Sequence, residues 1–120
     1  MTHVYAELRV HRGKTEPYAL TIRDGAGALI NLDAKSLTLT VRRELGDVAI
    51  ATKTTGAGIT HRADQAGAGK GLADVLFAPA DFTALPNRRQ VLVYDVELVD
   101  GASEYQAVWG RLELLPVVTT

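Results

Sequence analysis

An all-β domain is what this sequence predicts, and three observations carry the prediction. The stretch Gln90–Leu115, QVLVYDVELVDGASEYQAVWGRLELL, reads as two long alternating strands joined at Asp100-Gly101-Ala102-Ser103. Asp-Gly between alternating runs is a strong hairpin signal, because glycine accepts positive φ without steric cost. Further short runs of period two, rich in β-branched residues and separated by turn residues, fill most of the remaining chain. Only one stretch, Asp81–Leu85, has the look of a helix, and it is a single turn.

Taken in order, Val4, Ala6, Leu8 and Val10 alternate with Tyr5, Glu7, Arg9 and His11 in a first strand ending near Gly13. Pro17 opens a second, with Tyr18, Leu20 and Ile22 on one face, and Asp24–Gly27 turns the chain into Ala28-Leu29-Ile30. A third strand, Ser36–Glu44, turns Leu37, Leu39 and Val41 inward against Thr38, Thr40 and Arg42. Gly46-Asp47 then leads into Val48–Lys53. Residues 54–71, TTGAGITHRADQAGAGKG, are dominated by Gly, Ala and Thr and read as a long, partly ordered connection with a short strand near Ile59–Arg62. Leu72–Ala78 is a strand, Asp81 can cap the helical turn and Pro86 stops it. In the final hairpin Leu92, Tyr94, Val96 and Leu98 face one side. Parity then puts Val108, Leu112 and Leu114 inward and Tyr105, Ala107, Trp109, Arg111 and Glu113 outward. The tail, residues 116–120, leaves the domain. Seven or eight antiparallel strands with turn signals between them fit an immunoglobulin-like β-sandwich, with an open barrel as the alternative.

At 120 residues the chain is expected to be a single domain, residues 1–120. Apolar residues make up 47% and charged ones 22%, which argues for a packed core over disorder. A net charge of −1 leaves no electrostatic footprint for nucleic acid or an anionic membrane. The halves differ mildly, +2 for residues 1–60 and −3 for residues 61–120, a hint of head-to-tail complementarity between copies. With no cysteine there are no disulfides, thiolate nucleophiles or Cys-ligated zinc. The start, MTHVYAELRV, has no apolar core of a signal peptide, and no apolar run approaches the roughly 20 residues of a membrane helix. These features point to a chain made in the cytoplasm.

No catalytic, cofactor or metal motif is found. Gly67-Ala68-Gly69-Lys70-Gly71 resembles a phosphate loop, but Asp64 stands where its first glycine belongs and Gly71 replaces the hydroxyl residue. His3, His11 and His61 lack metal-ligand spacing, Ser36 and Ser103 sit in no nucleophile elbow, and the aspartates form no calcium loop. His61 near Asp64 is the nearest thing to a pair. Trp109 says more. Trp, Tyr and Arg on one strand face are the composition of a protein–protein hot spot, so Tyr105, Trp109 and Arg111 form a candidate interface, with Tyr5 from the N-terminal segment. A bulge near Gly110 would instead slip the register and bury Trp109. Arg42-Arg43 and Arg88-Arg89 are candidate grips for an acidic partner. The loop 63–71 is a candidate segment for ordering on a neighbour.

Four stretches carry a family resemblance: Tyr18–Gly25 (YALTIRDG), Leu29–Asp33 with Leu37–Arg42 (LINLD, LTLTVR), Ala80–Pro86 (ADFTALP), and Val93–Gly101 with Trp109–Leu112 (VYDVELVDG, WGRL). In these the chain resembles the immunoglobulin-like domain at the N-terminus of phage baseplate upper proteins, and related small phage tail and virion proteins. The resemblance implies a non-enzymatic structural or accessory protein of a tailed-phage virion, in the baseplate, tail, fibre adaptor or collar, assembled in many copies. It implies no cofactor. Its partners would be other virion proteins and copies of itself, with no nucleic acid or membrane. The alternatives are capsid decoration, a carbohydrate-binding module stacking sugars on Trp109 and Tyr105, and an enzyme built round His61.

Overall fold

The computed structural model describes residues 4–101 and 103–116, the side chains of Val4 and Tyr105 excepted. Nine strands form it: β1 (Val4–Tyr5), β2 (Leu8–His11), β3 (Glu16–Thr21), β4 (Ser36–Arg42), β5 (Ala49–Thr55), β6 (Gly58–His61), β7 (Leu72–Phe77), β8 (Gln90–Asp100) and β9 (Ser103–Leu115). They lie in one mixed sheet, ordered β1-β9-β8-β4-β5-β6-β7-β3, with β2 beside β1 on β9. The sheet curls nearly into a barrel. The all-β expectation holds, but not every pairing is antiparallel. β1 and β2 run parallel to β9, and β5 meets β6 in a parallel junction only two residue pairs long. Alternation reports which face a residue takes and says nothing of its neighbour's direction.

Apolar alternation decides the inside. Leu37, Leu39 and Val41 of β4 pack with Leu92, Tyr94, Val96 and Leu98 of β8 and Leu112 and Leu114 of β9. Leu20, Ile59, Val75 and Phe77 come from the β6–β7–β3 side, and Phe82 and Leu85 close one end. Burying a side chain of this size contributes about 1.5–3 kcal/mol, so a continuous cluster is the main force on the fold.

A short 3-10 turn, Pro79–Phe82, begins two residues earlier than the sequence suggests. Asp81 lies within it and accepts from the Ala78 N–H at 2.8 Å, while Lys53 donates to the same carboxylate at 2.9 Å. Arg12, from the turn after β2, donates to the carbonyls of Phe82, Leu85 and Pro86. One guanidinium thus ties together three carbonyls at the end of the turn, two of which also accept from backbone N–H groups, Phe82 from Leu85 and Pro86 from Arg88.

Residues 54–71 are better ordered than their composition suggests. β5 runs on to Thr55, Gly56 takes φ 86, and β6 returns at once. Beyond it Gln65, only 1% exposed, holds the loop together. Its carbonyl accepts from the N–H groups of Leu32 (2.9 Å) and Gly71 (3.1 Å). Its amide donates to the carbonyls of Arg62 (2.9 Å), Gly69 (2.9 Å) and Leu72 (3.1 Å). Asp64 accepts from Gly67, Ala68 and Gly69. The loop is held by its own hydrogen bonds, which corrects the reading of residues 54–71 as a partly ordered connection.

Candidate protein-interaction face

The outer surface of β1, β2, β9 and β8 gathers most of the residues expected at an interface. Its geometry follows from register. Tyr5 lies opposite Trp109, Arg9 opposite Glu113, and on the other flank Asp95, Val93 and Val91 lie opposite Trp109, Arg111 and Glu113. Tyr5 and Trp109 meet edge to face, with ring centroids 4.7 Å apart and planes at 75°. Such a pair contributes about 0.5–1.5 kcal/mol beyond the area it covers. Both rings still meet solvent, at 45% and 39% exposure. The Tyr5 hydroxyl donates to Glu7 at 3.2 Å, and desolvation followed by the Glu7 carboxylate raises its pKa.

A bulge explains which parts of the parity argument hold. The register between β8 and β9 shifts after Val96, so Val96 faces Val108 but Glu97 faces Gln106, leaving Ala107 as the extra residue. Ala107 and Val108 are both buried, and the alternation restarts there. The bulge lies at Ala107 and not near Gly110, and Trp109 and Arg111 face outward as expected. Ala107 was expected outward and is buried instead. Tyr105 stands on the far side of the bulge, opposite Leu98, and its side chain lies outside the described residues. Tyr5, Trp109 and Arg111 come together; the alternation that joined Tyr105 to them is broken.

Beside the aromatic pair lies a depression of about 430 Å³ lined by Glu7, Arg9, Arg89, Val91, Arg111 and Glu113. Glu113 sits between two arginines, accepting from Arg9 Nε at 2.9 Å and Arg89 Nε at 2.8 Å. The hydrogen bond from Arg89, aided by the charges of Arg89 and Arg9, holds its carboxyl below the ordinary value of 4.5. A group depressed on folding contributes stability above its unfolded pKa, and that contribution is lost as pH falls through the folded value. The bridge should accordingly outlast ordinary carboxylates on acidification. An NMR titration of the Glu113 carboxyl carbon is expected to give a midpoint below the ordinary 4.5, and a midpoint at or above it would contradict the bridge.

Sequence reasoning missed Glu7, Arg9, Val91 and Glu113 as members of this surface. Their outward parity was legible; the parallel pairing that sets Glu7 and Arg9 beside β9 was not. Of the arginine pairs, Arg42 is engaged by Asp95 at 3.1 Å and Arg89 by Glu113. Leu45 and Val48, at the β4–β5 turn, are 83% and 87% exposed, and Val48 borders a second depression of about 450 Å³ with Arg43, Asp47 and Ile50. His61 does not meet Asp64. Its Nε2 lies 2.9 Å from Thr55 Oγ1, a hydroxyl that also accepts from the Leu37 N–H. Among the described residues no three of His, Cys, Asp and Glu are grouped to hold a metal ion, and no helix is long and apolar enough to cross a membrane. No protein-family model matches the chain, and no curated protein matches it.

Proposed function

We propose that this chain is a non-enzymatic structural or accessory protein of a tailed-phage virion, an immunoglobulin-like sandwich that acts by docking to other virion proteins in many copies. The strand order supports the sandwich. β9-β8-β4-β5 and β6-β7-β3 form two runs that meet only at the two-pair parallel junction, and β1 and β2 extend the first run. A junction that narrow lets the two runs fold over as layers packed face to face, the arrangement a sandwich requires. The baseplate, tail, fibre-adaptor or collar role rests on the four stretches of family resemblance.

The observation that carries the docking role is the exposed Tyr5–Trp109 pair beside Arg111 on a rigid sheet face. Aromatic and arginine side chains at the centre of a surface, rimmed by charge, are what alanine scans find at binding hot spots. The sugar-binding alternative is less well served. Stacking a pyranose needs a broad open ring face, and here the two rings stand at 75° with an edge closing on a face.

Quantitative mass spectrometry of purified particles from the encoding phage or prophage tests the reading. A fixed ratio to the major capsid protein is expected, a few to a few dozen copies for baseplate, tail or collar and several hundred for capsid decoration. Absence from clean particles would overturn it. Trp109→Ala and Tyr5→Ala are expected to keep the fold while reducing incorporation at least tenfold, since truncated hot-spot residues typically cost about 2 kcal/mol or more of binding. Wild-type incorporation by both variants would remove this face from the interface.

A further inference from the structure

We propose that the β1–β2 edge pairs antiparallel with the same edge of a second copy, in the register that sets Glu7 opposite the partner's Arg9 and Arg9 opposite the partner's Glu7. The open side of this edge is fixed by its hydrogen bonds. Ala6 N–H donates to the Trp109 carbonyl at 2.9 Å and Arg12 N–H to the Leu115 carbonyl at 3.1 Å. Backbone groups alternate sides along a strand, so those of Tyr5 in β1 and of Arg9 and His11 in β2 point away from β9, while Ala6 and Glu7 lie between the two strands with the Ala6 carbonyl turned to the Tyr94 hydroxyl. His11 agrees: its N–H donates to the Tyr18 hydroxyl at 3.2 Å, and its carbonyl accepts from the Lys14 N–H. At Tyr5 and Arg9 no described residue takes up the outward backbone groups. They form a sheet edge open to another strand.

Charge selects the partner and the register. A two-fold axis at Leu8 sets Glu7 opposite the partner's Arg9, and the pairing would draw Glu7, now just before β2, into the strand so that the two exchange backbone hydrogen bonds. Directly opposed residues share a face, so the two charged side chains meet on the outer surface. Shifting the axis to residue 7 would oppose glutamate to glutamate, and shifting it to residue 9 arginine to arginine; like charges directly opposed are destabilising. Only the axis at Leu8 gives opposite charges at both positions. It also continues a row already present in each copy. Arg89 holds Glu113, Glu113 holds Arg9, and the partner's Glu7 would follow. Signs then alternate without interruption across the junction. Leu8, half-buried now, would meet its symmetry mate at the axis.

This deepens the docking role by naming the partner at one edge, and it can fail without the outer face failing, because Tyr5 and Trp109 are tested by particle incorporation. Sedimentation equilibrium of the full chain at low salt is expected to give a concentration-dependent dimer that weakens as salt rises. Glu7→Arg and Arg9→Glu, each confirmed folded by circular dichroism, should each weaken self-association at least tenfold. An equimolar mixture of the two variants should recover it, since every opposed pair in the mixed dimer again joins arginine to glutamate. Amide exchange at Glu7 and Arg9 should slow on dimerisation. A wild-type chain that stays monomeric at its highest soluble concentration would overturn the proposal. So would a dimer indifferent to both variants, or a mixture that fails to recover association.

Discussion

Gly110→Ala is expected to lower stability by about 3 kcal/mol or more, a drop of about 10 °C in the unfolding midpoint. A Cβ at this position would lie 1.9 Å from the Ala6 carbonyl oxygen and 2.8 Å from its carbon. Both are backbone atoms, so no side-chain rotation relieves the overlap. Ala6 cannot retreat without cost either, because its N–H is bonded to Trp109 and its carbonyl accepts from the Tyr94 hydroxyl at 2.7 Å. Burial pushes the Tyr94 hydroxyl well above its ordinary pKa, so it stays a donor across the usable pH range. The variant therefore has to peel β1 away from β9 and strand a buried hydroxyl. Thermal unfolding with amide exchange along residues 5–12 would measure this. A midpoint within a degree of the parent's would show that the close approach of Ala6 to Gly110 is not needed for stability.

Gln65→Leu should cost about 3–5 kcal/mol, for a different reason. The new side chain has nearly the same volume, but the N–H groups of Leu32 and Gly71 and the carbonyl of Arg62 lose their partner, and the carbonyls of Gly69 and Leu72 keep only their bonds from the N–H groups of Leu72 and Arg62. A buried group left unsatisfied costs about 1–3 kcal/mol, and relaxation of the loop toward water recovers part of the sum. Lys70→Ala, at an exposed position in the same loop, is the control and should stay within about 0.5 kcal/mol of the parent. Urea unfolding of the pair would separate the effect of the plug from that of the loop's composition. Equal midpoints would mean the network contributes little.

The strands were legible wherever one face is wet and the other dry. Leu37, Leu39 and Val41, or Leu92 to Leu98, announce both their conformation and their side, because burial imposes the alternation directly. What could not be read was the relation between distant segments. Nothing in VYAELRV says that its partner is β9 or that the pairing is parallel, since a half-buried strand presents the same pattern in either direction. The bulge was invisible for a related reason. Alanine at position 107 is small enough for either face, so the slip leaves no mark in the apolar pattern.

The candidate face was half legible. Trp109 and Arg111 followed from parity, and Tyr5 from being an outward aromatic on an early strand; their meeting depended on the unseen parallel pairing. Gln65 failed to stand out because a lone polar residue among Gly and Ala looks like solvated loop. Its role appears only when the chain closes round it and five backbone groups converge.

The parallel ladder between β1–β2 and β9 also bears on how the molecule folds. Tyr5 meets Trp109 at a separation of 104 residues. Joining segments so far apart carries a closure entropy of about 4 kcal/mol before any contact repays it. The β8–β9 hairpin, joined by a turn at Gly101, incurs almost none. Refolding should thus begin from the hairpin and β4 and add β1–β2 late, as mixed topologies with distant pairings do. In a native-state exchange experiment the same ladder would open first.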